Sequence, residues 1–180
     1  MKATPCISRS WAGSPNPAGT PVPPRRPVDL ELLPRVEEAC ALLRAAGFVL
    51  VLATNQPDVA RGTQERAVVE AMNGRLAREL RLDDVRVCFH DDSDDCGCRK
   101  PAPGLLLAAA GHWNGDLAAS VMVGDRWRDI EAGRRAGCAT VLVGAGWNEP
   151  FPSQPDHRAG DLFEAAVWIT TNDLTEEGTA

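Results

Sequence analysis

Four soft ligands within eleven residues constrain this chain more than any other feature of its sequence: Cys88-x-His90, then Cys96-x-Cys98. Three thiolates and one imidazole are the donor set of a closed, tetrahedral structural zinc site. The Cys-x-Cys and Cys-x-His spacings are tighter than the Cys-x-x-Cys of a zinc finger, so a generic finger is not expected. A disulfide between Cys96 and Cys98 would close a very small, strained ring. The stretch ends in Arg99-Lys100-Pro101, two cations where the loop must return to the protein body.

The remaining cysteines, Cys6, Cys40 and Cys138, are scattered, which fits a reducing compartment better than a disulfide frame. Net charge is −6 over 180 residues, without a basic patch, and this argues against nucleic acid or an anionic membrane as partner. No apolar run approaches the roughly 20 residues of a membrane span. No signal-peptide hydrophobic region opens the chain, so a cytoplasmic protein is expected, and a monomer. Asp91, Asp92, Asp94 and Asp95 read as a solvated loop, with a second metal site as the sharper alternative.

Length is enough for one core. Residues 1–28 carry seven prolines and no Asp or Glu, so an extended arm or a degenerate first strand is expected there. The main domain is expected over 29–170 and a polar tail over 171–180. Leu32, Val36, Ala39, Leu42 and Leu43 fall at helical spacing before Gly47. Phe48–Ala53 is a short apolar run of the kind buried in parallel sheets. A helix over 64–80, a strand over 85–89 and a helix opening at Leu105 follow. Strands at 120–123 and 139–143 flank a helix over 128–136, and Leu162–Trp168 reads as a last helix. This alternation predicts an α/β fold with a doubly wound parallel sheet and helices on both faces.

In such sheets ligands bind beyond the carboxyl ends of the strands. Thr54-Asn55, Arg99-Lys100 and Gly124-Asp125 with Asp129 all fall there. Donors and cations of this kind hold phosphoryl oxygens, and a carboxylate holds Mg²⁺. Each has a plainer reading: turn or cap for Thr54, Asn55 and Asp125, a surface cation for Lys100, a solvated or supporting carboxylate for Asp129. Their joint placement is what points to a phosphate site.

Thr54-Asn-Gln, the Cys88-to-Pro101 stretch and Val123-Gly-Asp125-x-x-x-Asp129 together resemble the haloacid dehalogenase superfamily. More narrowly they are similar to its zinc-containing heptose bisphosphate phosphatases and the related histidinol-phosphate phosphatases. The resemblance implies a phosphomonoester hydrolase acting on a small sugar phosphate. Thr54 and Asn55 would bind the transferring phosphoryl group and Lys100 would neutralise it. Asp125 would hold Mg²⁺, Asp129 would support that loop, and Arg99 would contact the sugar or its second phosphate. The zinc on Cys88, His90, Cys96 and Cys98 would shape the specificity loop. The family also ends its first strand with Asp-x-Asp-Gly, the first Asp as nucleophile and the second as general acid and base. Here the corresponding place reads Cys6-Ile-Ser-Arg-Ser-Trp11-Ala-Gly, with Ser8 and Ser10 as weak substitutes.

Overall fold

The computed structural model describes residues 24–144 and 152–172 in full, and the backbone of 2–3, 6–7, 14–15 and 21–22. Four two-residue strands come first: β1 (Lys2–Ala3), β2 (Cys6–Ile7), β3 (Ser14–Pro15) and β4 (Pro21–Val22). Helix α1 (Val36–Ala45) leads to β5 (Val51–Asn55), the short α2 (Pro57–Ala60), α3 (Arg66–Glu79) and β6 (Asp84–Cys88). Then come α4 (Gly104–Trp113), β7 (Gly115–Asp116), β8 (Val121–Gly124), α5 (Trp127–Ala136), β9 (Ala139–Val143), β10 (His157–Ala159) and α6 (Leu162–Thr171).

Six strands form one sheet in the order β10-β9-β8-β2-β5-β6, with every pairing parallel. A gap or a substitute strand was conceivable at its centre, because residues 1–10 offer little to bury. Cys6–Ile7 fill that place themselves, opposite Val51–Leu52 on one side and Met122–Val123 on the other. β1 pairs with β7, and β3 with β4, as separate small ladders.

Strand side chains alternate between faces, and the core divides accordingly. Leu50, Leu52, Val121, Val123, Val141 and Val143 face one layer, built from α1, α3 and α6. Val51, Ala53 and Met122 face the other, with Leu106 and Ala109 of α4 and Ala132 of α5. Burial on both faces is why Val51-Leu52-Ala53 is apolar without alternation. Gly133 keeps α5 close to the sheet: a Cβ there would lie 2.7 Å from both Met122 and Thr140 side chains.

Several boundaries differ from the sequence expectation. α1 opens only at Val36, because Pro34 disfavours helix at Leu33 and Arg35 is left-handed at φ 62°. The strand expected from Phe48 begins at Val51, where its neighbours on both sides begin. Short α2 and edge strand β10 lacked a periodic signal altogether. Asp156 takes hydrogen bonds from the Thr140 N–H and hydroxyl, both at 2.7 Å, and so fixes the approach to β10. Thr170 and Thr171 belong to α6, so the tail begins later than expected, and residues 173–180 lie outside the described residues.

The described residues just before 29 pack against the main body. Pro24 is buried, and Arg75 donates to the Pro27 and Leu30 carbonyls at 2.7 and 3.0 Å, holding this segment on α3.

Candidate phosphate pocket and metal loop

The polar ends of β5, β6 and β8 come together at one edge of the sheet. Thr54 is buried, and its hydroxyl accepts from Gln56 Nε2 at 3.0 Å. A hydroxyl that accepts still has its proton to donate. Asn55 gives its amide to the Lys100 carbonyl at 2.9 Å and accepts from the Lys100 N–H at 3.1 Å. Its side chain therefore fixes the Lys100 backbone.

Lys100 is the pivot. Its Nζ donates to the Ala53 carbonyl at 2.7 Å and meets Asp129 Oδ1 at 2.6 Å. Ala53 belongs to β5, and Asp129 sits against Gly124 at the end of β8. The ammonium thus bridges the carboxyl ends of the two strands that flank β2. Both side chains are only 4% exposed, so each charge depends on the other. Gly124 is required for this approach: a Cβ there would sit 2.4 Å from Asp129 atoms. Asp129 Oδ2 also accepts from the Arg126 N–H at 3.2 Å, capping α5. Asp125 follows β8 directly and is half-buried.

The four expected metal ligands converge. Cys88 closes β6 and is buried in the core, which anchors one thiolate rigidly. Cys88 Sγ lies 3.6 Å from Cys96 Sγ and 3.5 Å from His90 Nδ1; Cys98 Sγ lies 3.5 Å from Cys96 Sγ and 3.4 Å from His90 Nδ1. All four donor atoms fall within 4.8 Å of one another. Zinc–sulfur bonds of about 2.3 Å in a tetrahedron place neighbouring sulfurs nearly 4 Å apart, so the cluster fits zinc after slight expansion. Without a metal, burial pushes the Cys88 thiol up to about 12, and a bound cation reverses this by favouring thiolate. Burial likewise holds Cys40 and Cys138 at about 12, as inert core thiols.

The loop is fastened at both ends. The Gly104 N–H donates to the Gly97 carbonyl at 3.0 Å, and a Cβ on Gly104 would come within 2.3 Å of that oxygen. The acidic run is neither merely solvated nor arranged as a second metal site. Asp91 takes Arg61 Nε at 2.9 Å, Asp92 takes Arg61 Nη2 at 3.0 Å and Arg99 Nε at 2.8 Å, and Asp94 accepts from the Asp91 N–H at 2.7 Å. Arg61 was missed in sequence. Its signal lay in a lone cation facing an acidic loop thirty residues away.

A prediction follows from the ligand geometry. Purified protein should carry one zinc per chain, and stripping it with a chelator should lower Tm by about 10 °C. That corresponds to ~3 kcal/mol at about 2–4 °C per kcal/mol for a domain of this size. Elemental analysis and thermal unfolding of Cys96→Ser beside the unmodified protein check it; zinc-free protein with unchanged Tm contradicts it.

The family model of haloacid dehalogenase-like hydrolases matches residues 26–137, from the start of the fully described body to the end of α5. The chain belongs to the haloacid dehalogenase-like hydrolases. Within that family it is 42% identical over 120 residues to a D-glycero-beta-D-manno-heptose-1,7-bisphosphate 7-phosphatase of Pseudomonas aeruginosa, covering 63% of this chain and 67% of that protein. A D-glycero-D-manno-heptose-1,7-bisphosphate 7-phosphatase of Thermosynechococcus vestitus is 36% identical over 167 residues, 80% of this chain and 85% of that one. Among solved structures, the D,D-heptose 1,7-bisphosphate phosphatase of B. bronchiseptica, complexed with magnesium and phosphate, superposes with a TM-score of 0.79. That pair shares 31% identity over 95% of this chain and 99% of the other.

The carboxylate pair that the resemblance places after the first strand has no counterpart in the chain. β2 ends at Ile7, the next residues are Ser8-Arg9-Ser10, and the first acidic residue is Asp29. Ser8 and Ser10 themselves lie outside the described residues.

Proposed function

We propose that the chain is a phosphomonoester hydrolase whose pocket takes a heptose bisphosphate or a closely similar sugar phosphate. The observation that carries this is the buried Lys100, held by Asn55, Ala53 and Asp129 at the end of the central strands and followed back in sequence by a four-ligand metal loop. Relatives named as heptose bisphosphate phosphatases support the substrate class.

In this reading Thr54 donates its hydroxyl to the transferring phosphoryl group, and Lys100 neutralises charge on its oxygens. Lys100 needs no reorganisation to do so, because Asn55 fixes its backbone and Asp129 its head. Mg²⁺ is commonly held by one or two carboxylates together with ligand phosphate and water. This reading assigns the ion to Asp125, which follows β8 directly, while Asp129 is engaged by Lys100 and the α5 cap. The donor set fits the ion with a phosphate and water completing its shell, and its contribution there is charge neutralisation. Arg99 contacts the sugar or its second phosphate, and the zinc fixes the loop that carries Arg99 without entering the chemistry. The small-molecule partner is thus a sugar phosphate; the cytoplasm as location and a monomer as assembly complete the proposal.

Phosphoryl transfer in this family needs a carboxylate at the end of the first strand, and Ser8-Arg9-Ser10 supply none. Binding and turnover are therefore separable in this chain. The same absence favours a second reading, in which the pocket holds a sugar phosphate without hydrolysing it. Equilibrium titration with heptose 1,7-bisphosphate, histidinol phosphate and inorganic phosphate tests the pocket independently of turnover. The heptose bisphosphate should bind most tightly; a preference for histidinol phosphate would move the assignment to that branch of the family.

A further inference from the structure

Asp92 stands out because its carboxylate sits where an anionic ligand would be expected. Arg99 Nε meets Oδ1 at 2.8 Å, and Arg61 Nη2 meets Oδ2 at 3.0 Å. Arg99 is 13% exposed and is oriented by a second bond, from Nη1 to the His90 carbonyl at 3.3 Å. Asp92 is 61% exposed, so one side of this ion pair is fixed and the other is free to leave into solvent.

The Arg128 charge adds a weaker pull on the same carboxylate. Arg128, in the first turn of α5, lies 4.7 Å over the Trp127 ring. The Arg99 hydrogen bond holds the Asp92 carboxyl below its usual range against partial desolvation, and the Arg99 and Arg128 charges add to this. Arg128 immediately precedes Asp129, which grips Lys100, and Arg99 immediately precedes Lys100. The arginines therefore lie beside the reacting pocket.

We infer that Asp92 is a resident anion in a site for the substrate's second, non-reacting phosphate, formed by Arg99 with Arg61 and Arg128, so that ligand and Asp92 compete for Arg99. The inference rests on the sugar-bisphosphate reading above. A phosphate dianion carries more charge than a carboxylate and offers three acceptor oxygens, so it engages more than one guanidinium at once. Asp92 is cheap to displace, because an exposed ion pair contributes little. Arg61 keeps its bond to Asp91 throughout, so the loop stays fastened while Asp92 swings out. A monophosphate in the Lys100 pocket never meets this competition. Discrimination between one and two phosphates then resides in the loop.

The test is equilibrium titration of zinc-loaded protein with heptose 1,7-bisphosphate and with inorganic phosphate. Asp92→Asn should raise the affinity for the bisphosphate relative to inorganic phosphate about fivefold, the size of one exposed ion pair that no longer has to be broken. Arg128→Ala should lower the same ratio by a similar factor. Zinc content measured on each variant confirms that the loop is intact. An unchanged ratio in Asp92→Asn, or a weaker bisphosphate complex, overturns the inference while leaving the pocket assignment standing. Absence of inorganic-phosphate binding by the unmodified protein overturns the pocket assignment, and this inference with it.

Discussion

Replacing Lys100 by Met should destabilise the protein by about 3–5 kcal/mol, because it leaves the Asp129 carboxylate buried without its counter-charge. At about 2–4 °C per kcal/mol, Tm should fall by roughly 10 °C or more. The replacement fills nearly the same volume, so cavity formation contributes little. Lys100→Met/Asp129→Asn removes both charges, keeps an amide at the α5 cap, and should recover at least half of the loss. Phosphate binding should be absent from both variants, since neither presents the ammonium. Thermal unfolding and phosphate titration on the same samples separate the two roles. If Lys100→Met unfolds like the unmodified protein, the pair is solvated and the pocket is not organised around it.

That result bears on what sequence could reveal. The convergence of Asn55, Lys100 and Asp129 was legible because polar residues of these types fall at strand ends, where α/β sheets place ligands. The Cys/His cluster was legible because four soft donors in one short stretch have few other uses. Their wiring was not. Nothing in Thr54-Asn55 says that the Asn55 amide faces the Lys100 backbone in both directions, since that pairing crosses forty-five residues. Nor does the sequence say that Gly124 admits the Asp129 side chain, which a Cβ there would block.

The fold shows the same division. Strand alternation and apolar runs marked β5, β8 and β9, whose burial on both faces demands continuous hydrophobicity. β2 left no such trace: two paired residues suffice when strands on both sides already supply the core. β10 is an edge strand of three residues with one buried side chain, too short for any period to register. The charge network of Arg61, Asp91, Asp92 and Arg99 escaped because long-range ion pairs follow tertiary proximity, not spacing.

The largest effect expected in this protein is catalytic. The pairing of Cys6–Ile7 with β5 and β8 makes Ser8 and Ser10 the residues that follow the central strand in the Asp-x-Asp spacing, with Arg9 between them. A serine needs a base to become a nucleophile and brings no charge to a metal ion. Two carboxylates would supply a nucleophile, an acid–base group and a second ligand for Mg²⁺ beside Asp125. Loss of a nucleophile from an otherwise complete site typically costs about 10⁴–10⁶ in kcat, and restoration should return a comparable factor. The added charge is compatible with the site, since Lys100 stands at its edge and Mg²⁺ binds with the substrate.

Phosphate release from heptose 1,7-bisphosphate in Mg²⁺, measured for the chain as it stands and for Ser8→Asp/Ser10→Asp, tests the central claim most directly. The account predicts turnover at least about 10⁴-fold faster in the substituted protein, with zinc content and bisphosphate affinity little changed between the two. Equal, rapid release by both proteins would contradict it, because some other residue would then be the nucleophile. Silence in both, with zinc bound and the sugar phosphate held, would contradict it in the other sense and leave a binding protein.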